Sequence, residues 1–155
     1  MLATGLIAVA LIAQQTSTPP AHESATEGQA IVAGILARQP QAPDMIALNA
    51  EAAGAPDSVW SPETEAMLSR RYHAISGFSE GVDSFGVTCS ATLCEVAGVG
   101  RPGLSSDQIN DLITGLQNPV NELGASVVEH VLHSFGTTAE QPTSFVFVTY
   151  WRRRA

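Results

Sequence analysis

Two cysteines, Cys89 and Cys94, constrain this chain more than any other feature. They lie in Val87-Thr88-Cys89-Ser90-Ala91-Thr92-Leu93-Cys94-Glu95-Val96, four residues apart and flanked by β-branched positions. The pattern reads as a β-hairpin closed by its own disulfide. If Cys89 faces Cys94, then Val87 faces Val96 and Phe85 faces Gly98. Alternation places Phe85, Val87, Cys89, Cys94 and Val96 on one apolar face. Ser84, Gly86, Thr88, Glu95 and Ala97 fall on the other, largely polar face. Directly opposed residues of an antiparallel pair are about 4.5–5.5 Å apart at Cα, within reach of a disulfide. The bridge is assigned a structural role.

A chain of 155 residues is long enough for one domain with its own core. Net charge is −8, from fifteen Asp and Glu against seven Arg and no Lys. Such a surface repels phosphate backbones and disfavours nucleic acid as a partner. Leu2 to Ala13 is apolar and precedes a Gln/Thr/Ser/Pro stretch, as in the hydrophobic region of a secretory signal with small residues for cleavage after Ala10 or Ala13. It is short for a bilayer span, and no basic residue precedes Arg38, so the true start could lie upstream. Export to the periplasm or exterior is the expected localisation, and an oxidising compartment is where a lone cysteine pair stays bridged.

Residues 1–13 are read as this signal or apolar segment, 14–25 as a disordered linker, and 26–59 as a helical extension. An α+β domain then covers 60–151, with a basic tail at 152–155. Ala30, Ile31, Gly34 and Ile35 have helical spacing, and Pro43-Asp44 opens a short helix through Met45, Ile46, Leu48 and Ala52. Ser61-Pro62-Glu63 resembles a capped helix start, with Met67, Leu68, Tyr72 and Ile75 on one stripe ending at Gly77. Strands follow at 82–89 and 93–100. A helix capped by Ser105 or Ser106 carries Ile109, Leu112, Ile113 and Leu116 and stops at Asn118-Pro119. Two further strands are expected at 123–135 and 143–151. The order α-β-β-α-β-β implies a four-stranded antiparallel sheet with helices on one face, an α+β two-layer sandwich with an N-terminal helical extension. The last strand is apolar on both sides, with Val146, Val148 and Tyr150 opposite Phe145, Phe147 and Trp151. It is therefore expected to be central, its second face covered by the N-terminal helices or by a partner.

The Trp60-led helix, the V-x-C-x4-C-x-V hairpin of Cys89, Cys94 and Val96, the amphipathic helix and the aromatic last strand together resemble small exported proteobacterial proteins without an assigned activity. The resemblance covers about Trp60 to Trp151. It implies a compartment and a domain type, and brings no catalytic residues.

Three motifs invite chemistry. Gly77-Phe78-Ser79-Glu80-Gly81 matches the G-x-S-x-G nucleophile elbow, with Asp107 or Asp111 and then His130 or His133 in hydrolase order. The elbow needs a strand before the serine and a helix after it, and here that order is reversed. Gly98-Val99-Gly100-Arg101-Pro102-Gly103 matches G-x-G-x-x-G, but its strand is the second arm of a hairpin and its helix starts too late to hold a pyrophosphate. Cys89 and Cys94 with His130 and His133 suggest zinc, yet strand residues three apart should point to opposite faces. A redox role for the cysteines lacks a C-x-x-C spacing and a helix N-terminus. No catalytic, cofactor-binding or metal-ligating residue is therefore assigned; Cys89 and Cys94 form a disulfide. The expected function is a non-catalytic interaction module that binds another envelope or secreted protein, or itself, through the sheet. The alternatives are a thiol-disulfide protein using Cys89 and Cys94, or a small hydrolase using Ser79.

Overall fold

The computed structural model describes residues 30–37, 43–122, 127–137 and 144–155. Its elements are α1 (30–37), α2 (Pro43–Ala52), α3 (Trp60–His73), the short α4 (Phe78–Gly81), β1 (Val82–Cys89), β2 (Leu93–Gly100), α5 (Ser106–Glu122), β3 (Val128–Thr137) and β4 (Phe145–Arg153). The four strands form one antiparallel sheet in the order β1-β2-β4-β3. This is the α+β class expected from the element order. Readings that fall on 1–29 and on 123–126, including the leader and the linker, lie outside the described residues.

The hairpin has the register given by the pairing arithmetic: Cys89 opposite Cys94, Val87 opposite Val96, Phe85 opposite Gly98. The two sulfurs are bonded, and the Cα atoms are 4.0 Å apart. No residue other than glycine has positive φ among those described, so the turn is not one of the primed types that suit a two-residue hairpin. Ser90 compensates. Its hydroxyl accepts from the Thr92 and Leu93 amides at 3.3 and 3.1 Å, and the Ser90 amide donates to the Leu93 carbonyl at 2.8 Å. The tip is also held from outside. The Ala91 amide donates to the Ala55 carbonyl, the Arg153 amide to the Thr92 carbonyl, and the Ser61 hydroxyl to the Ser90 carbonyl.

One face of the sheet packs under α3, α4 and α5. Leu68, Tyr72, Phe78, Leu112 and Leu116 meet Val87, Val96, Phe147, Trp151 and the disulfide. The other face lies under α1 and α2, where Val32, Ile35, Met45, Leu48 and Ala52 meet Leu93, Ala97, Val146, Val148 and Tyr150. The N-terminal extension therefore adds a third layer to the two-layer sandwich, and β4 is buried on both sides as its composition requires. The hairpin's polar face is buried too: Glu95 is only 2% exposed. Alternation alone reads that face as solvated, but α2 is there to cover it.

Several local expectations need correction. Ser61 does not cap α3; Asp57 does, its Oδ1 accepting from the Val59 and Trp60 amides at 2.9 and 2.7 Å. These bonds and the Arg153 charge hold the Asp57 carboxyl below its usual range. Ser61 is used instead to tie α3 to the hairpin tip. Helix α5 is capped by Ser105 in a reciprocal box with Gln108, at 3.3 and 2.9 Å, and runs through Pro119 to Glu122. Proline there removes one backbone bond, the one to the Gly115 carbonyl, and the helix continues past it. Arg152 and Arg153 are not a solvated tail. They extend β4, Arg152 pairing with Glu51 at 2.8 Å and Arg153 with Asp57 at 3.5 Å, the Arg153 guanidinium lying 5.1 Å from the Trp60 ring centre.

Closing so short a loop restricts the unfolded chain by about 2 kcal/mol in the chain-entropy model. The Cys89→Ala/Cys94→Ala protein is expected to lose about that much stability in urea unfolding while keeping its far-UV circular dichroism. A loss below about 0.5 kcal/mol would contradict the structural role of the bridge.

Candidate functional site

The two sheet edges differ. At β1, Asp83 bulges out of register between Val82 and Ser84, and the Glu65 carboxylate accepts the outward Cys89 amide at 2.9 Å. The Glu65 contact occupies a donor that a further strand would need. At β3 the ten residues Val128–Thr137 include one charge, Glu129, and neither lysine nor proline. Their outer side pairs with no other strand among the described residues.

A bulge at Val131 separates two registers of β3, with His130 opposite Trp151 and Leu132 opposite Tyr150. The extra residue shifts the alternation by one. His130 and His133, three apart, consequently share the face under α3, their ring centres 6.3 Å apart. The expectation that they point to opposite faces is thus overturned. The error came from assuming a regular strand.

His133 ends a buried hydrogen-bonded chain. The Trp151 indole N–H donates to the Tyr72 hydroxyl at 3.2 Å, Tyr72 and Thr149 are hydrogen-bonded, and the Thr149 hydroxyl lies 2.8 Å from His133 Nδ1. An indole can only donate, so the Tyr72 hydroxyl accepts from Trp151, and the direction of the Thr149–Nδ1 bond is set by the His133 tautomer. The Nε2 atoms of both His130 and His133 are buried without a hydrogen-bond partner. Burial first, and then the neighbouring His130, lower the His133 pKa to about 4; burial also lowers that of His130. Burial pushes the Tyr72 phenol up to about 12. This chain therefore holds neutral groups at neutral pH.

On the opposite face, Glu95 is the only buried carboxylate among the described residues. The Asn49 amide donates to it at 2.9 Å from α2. Tyr150 faces it across β2 and β4, its hydroxyl beside the carboxyl without a hydrogen bond of regular geometry. Burial raises the Glu95 pKa despite the Asn49 bond. Burial and the adjacent Glu95 raise that of Tyr150. Nearby, an open groove of about 340 Å³ runs between α2 and the β3 edge, lined by Asp44, Leu48, Glu51, Val131, Leu132 and Arg152 among others. Val131 is 39% exposed there.

Other residues singled out by the sequence are not brought together. Ser79 is exposed in α4, which leads into β1, while His130 and His133 are on β3. Those strands are opposite edges, three strand spacings or about 14 Å apart. Asp107 and Asp111 are exposed on α5. No strand–turn–helix elbow exists at Ser79; Gly77, with φ 75°, turns the chain from α3 into α4. Gly98 and Gly100 leave room for the Phe147 and Phe145 rings of β4, so this glycine pair serves sheet packing. Both sulfurs are buried in the core and neither sits at a helix start. His73 is exposed, edge-on to Phe78 and Phe85.

The buried groups set the pH response. The folded-state pKa of His133 lies below 6.5, so its contribution is full above pH 6.5 and is lost as pH falls toward about 4. Glu95 acts oppositely: its folded pKa is above 4.5, so its contribution is present below pH 4.5 and is lost as pH rises through the folded value. In urea titrations from pH 4 to 8, His133→Gln is expected to flatten the acid-side decline. Glu95→Gln, which keeps an acceptor for Asn49, should gain on the parent as pH rises. Unchanged pH profiles for both variants would contradict the two assignments.

Comparison with family models, curated proteins and solved structures finds no match to this chain.

Proposed function

We propose that this protein is a small exported, disulfide-stapled interaction module, non-catalytic, that receives an extended segment of a partner protein along the β3 edge. The observation that carries the reading is the contrast between the edges: both are bulged, but the outward Cys89 amide of β1 is already taken by Glu65, whereas β3 presents ten residues with a single charge. An added strand gains backbone hydrogen bonds, and alternate side chains supply specificity. Both sheet faces are occupied by the chain's own helices, so the edge is the part of the sheet left to a partner. The groove beside it combines Leu48, Val131 and Leu132 with the Asp44 carboxylate, while Glu51 is paired with Arg152. With a net charge of −8, this favours a segment that places a basic residue next to an apolar one.

Export is supported by the bridged cysteine pair and by the apolar segment Leu2 to Ala13. Among the described residues no helix is long and apolar enough to cross a membrane. The buried sulfurs support a structural over a redox role, since exchange needs an accessible thiolate.

A panel of extended peptides alternating apolar residues with a central Arg or Glu tests the binding mode by fluorescence anisotropy. Arg peptides are expected to bind and Glu peptides to fail, and Val131→Lys or Asp44→Lys should abolish binding with the melting curve retained. If no peptide binds, or if both variants bind like the parent, the edge reading is wrong; concentration-dependent dimerisation blocked by Val131→Lys would assign the edge to a second copy instead. Export is tested by fusing residues 1–25 to a reporter active only outside the cytoplasm. A silent reporter contradicts it.

A further inference from the structure

His130 and His133 are two imidazoles that the Val131 bulge brings to one side of an edge strand. Each has a buried Nε2 without a hydrogen-bond partner. Buried polar atoms are nearly always satisfied, so a pair of orphaned ring nitrogens on neighbouring side chains calls for a shared partner. We infer that His130 and His133 form a site for a first-row divalent ion of the Zn(II) or Cu(II) class, coordinated through both Nε2 atoms.

The spacing allows it. An ion about 2.0–2.1 Å from each Nε2 lies about 3.2 Å from each ring centre, so coordinating rings can be separated by at most about 6.4 Å. The observed separation is 6.3 Å, and a closing movement of about 1 Å gives a tetrahedral angle at the metal. Both residues are only half-buried, so a swing of the His130 ring admits an ion. His133 already has the outer partner that ligating histidines use: its Nδ1 lies against the Thr149 hydroxyl, itself fixed by Tyr72 and Trp151. Coordination takes the tautomer in which Nδ1–H donates to Thr149 and Nε2 offers its lone pair.

Imidazole donors select zinc or copper over calcium or magnesium. The cysteines contribute nothing, being bonded to each other. Among the described residues no group of three or more His, Cys, Asp or Glu converges on one point. The ion therefore keeps open positions, filled by water or by a donor from an incoming molecule, as in sites that are not purely structural. This inference rests on the bulge and the ring geometry alone, independently of peptide binding at the edge.

The test titrates the whole protein with Zn(II), and separately with Cu(II), and follows the histidine ring nitrogens by long-range proton–nitrogen correlation. Expected are one ion per chain and selective shifts of the His130 and His133 Nε2 resonances, with His73 unmoved. In calorimetry, His130→Gln and His133→Gln should each weaken binding more than about tenfold, and Thr149→Val by about tenfold through loss of the outer bond. The His22→Gln/His73→Gln protein should bind like the parent. If a variant fails to fold, the resonances of the parent protein still decide. Absence of shifts at His130 and His133 in metal excess, or binding that survives the double substitution of both, overturns the site.

Discussion

Strand β4 is apolar on both sides, and a strand of that kind is stable only between two covers. Phe145, Phe147 and Trp151 require one layer, and Val146, Val148 and Tyr150 require another. The first is supplied by α3, α4 and α5, the second by α1 and α2. This explains why an N-terminal extension of modest helical signal belongs to the fold: without it, Val146, Val148, Ala97 and Leu93 would face water. β2 shares the constraint, lying next to β4 and buried along nearly its whole length. Gly98 and Gly100 in β2 let the aromatic rings of β4 sit flat on their neighbour.

Each face of β4 also carries one buried polar cluster, and the two arise from adjacent residues. Thr149 joins Tyr72, Trp151 and His133 on one side. Tyr150 faces Glu95 and Asn49 on the other. A slip of β4 by one residue would exchange these side chains between layers, taking Tyr150 away from Glu95 and the Trp151 N–H away from the Tyr72 hydroxyl. Unpaired buried polar groups are costly, so the clusters penalise alternative registers more than they add to stability. The disulfide fixes the register of the hairpin, and the polar clusters extend that specification to the strand beside it.

Much of this was legible in the sequence, for identifiable reasons. Opposing Cys89 and Cys94 set the hairpin pairs from Ser84 to Cys89 by arithmetic, and β4 declared itself central through its two apolar sides. The helix stripe of Leu68 and Tyr72 and the Ser105 cap followed from spacing. The His130–His133 arrangement did not, because a bulge changes the phase of a strand without a residue type that marks it. A trace of it was present: Val128 and His130 share one phase of the face, Phe135 and His133 the other, and only an extra residue between them lets both sets meet the strict alternation of β4. Glu95 was misread for another reason. A charged residue among small and polar neighbours signals solvent, and nothing local reports that Asn49, forty-six residues earlier, arrives to bind it. The competition between Asp57 and Ser61 for the start of α3 was likewise settled by tertiary structure, since Ser61 was needed at the hairpin tip.

That tip has an unusual standing. In most hairpins the turn is the outermost, least committed part of the fold, where epitope tags and inserted domains are placed with little consequence. Here the segment Ser90–Thr92 is where the chain's separate parts are moored: the loop after α2 through Ala55, the start of α3 through Ser61, the end of β4 through Arg153, and α2 itself through Glu51 and the Thr92 hydroxyl. Lengthening the turn would cast off all four moorings at once, although the disulfide behind it stayed intact. The most hairpin-like stretch of this protein is thus the poorest place to splice in anything new.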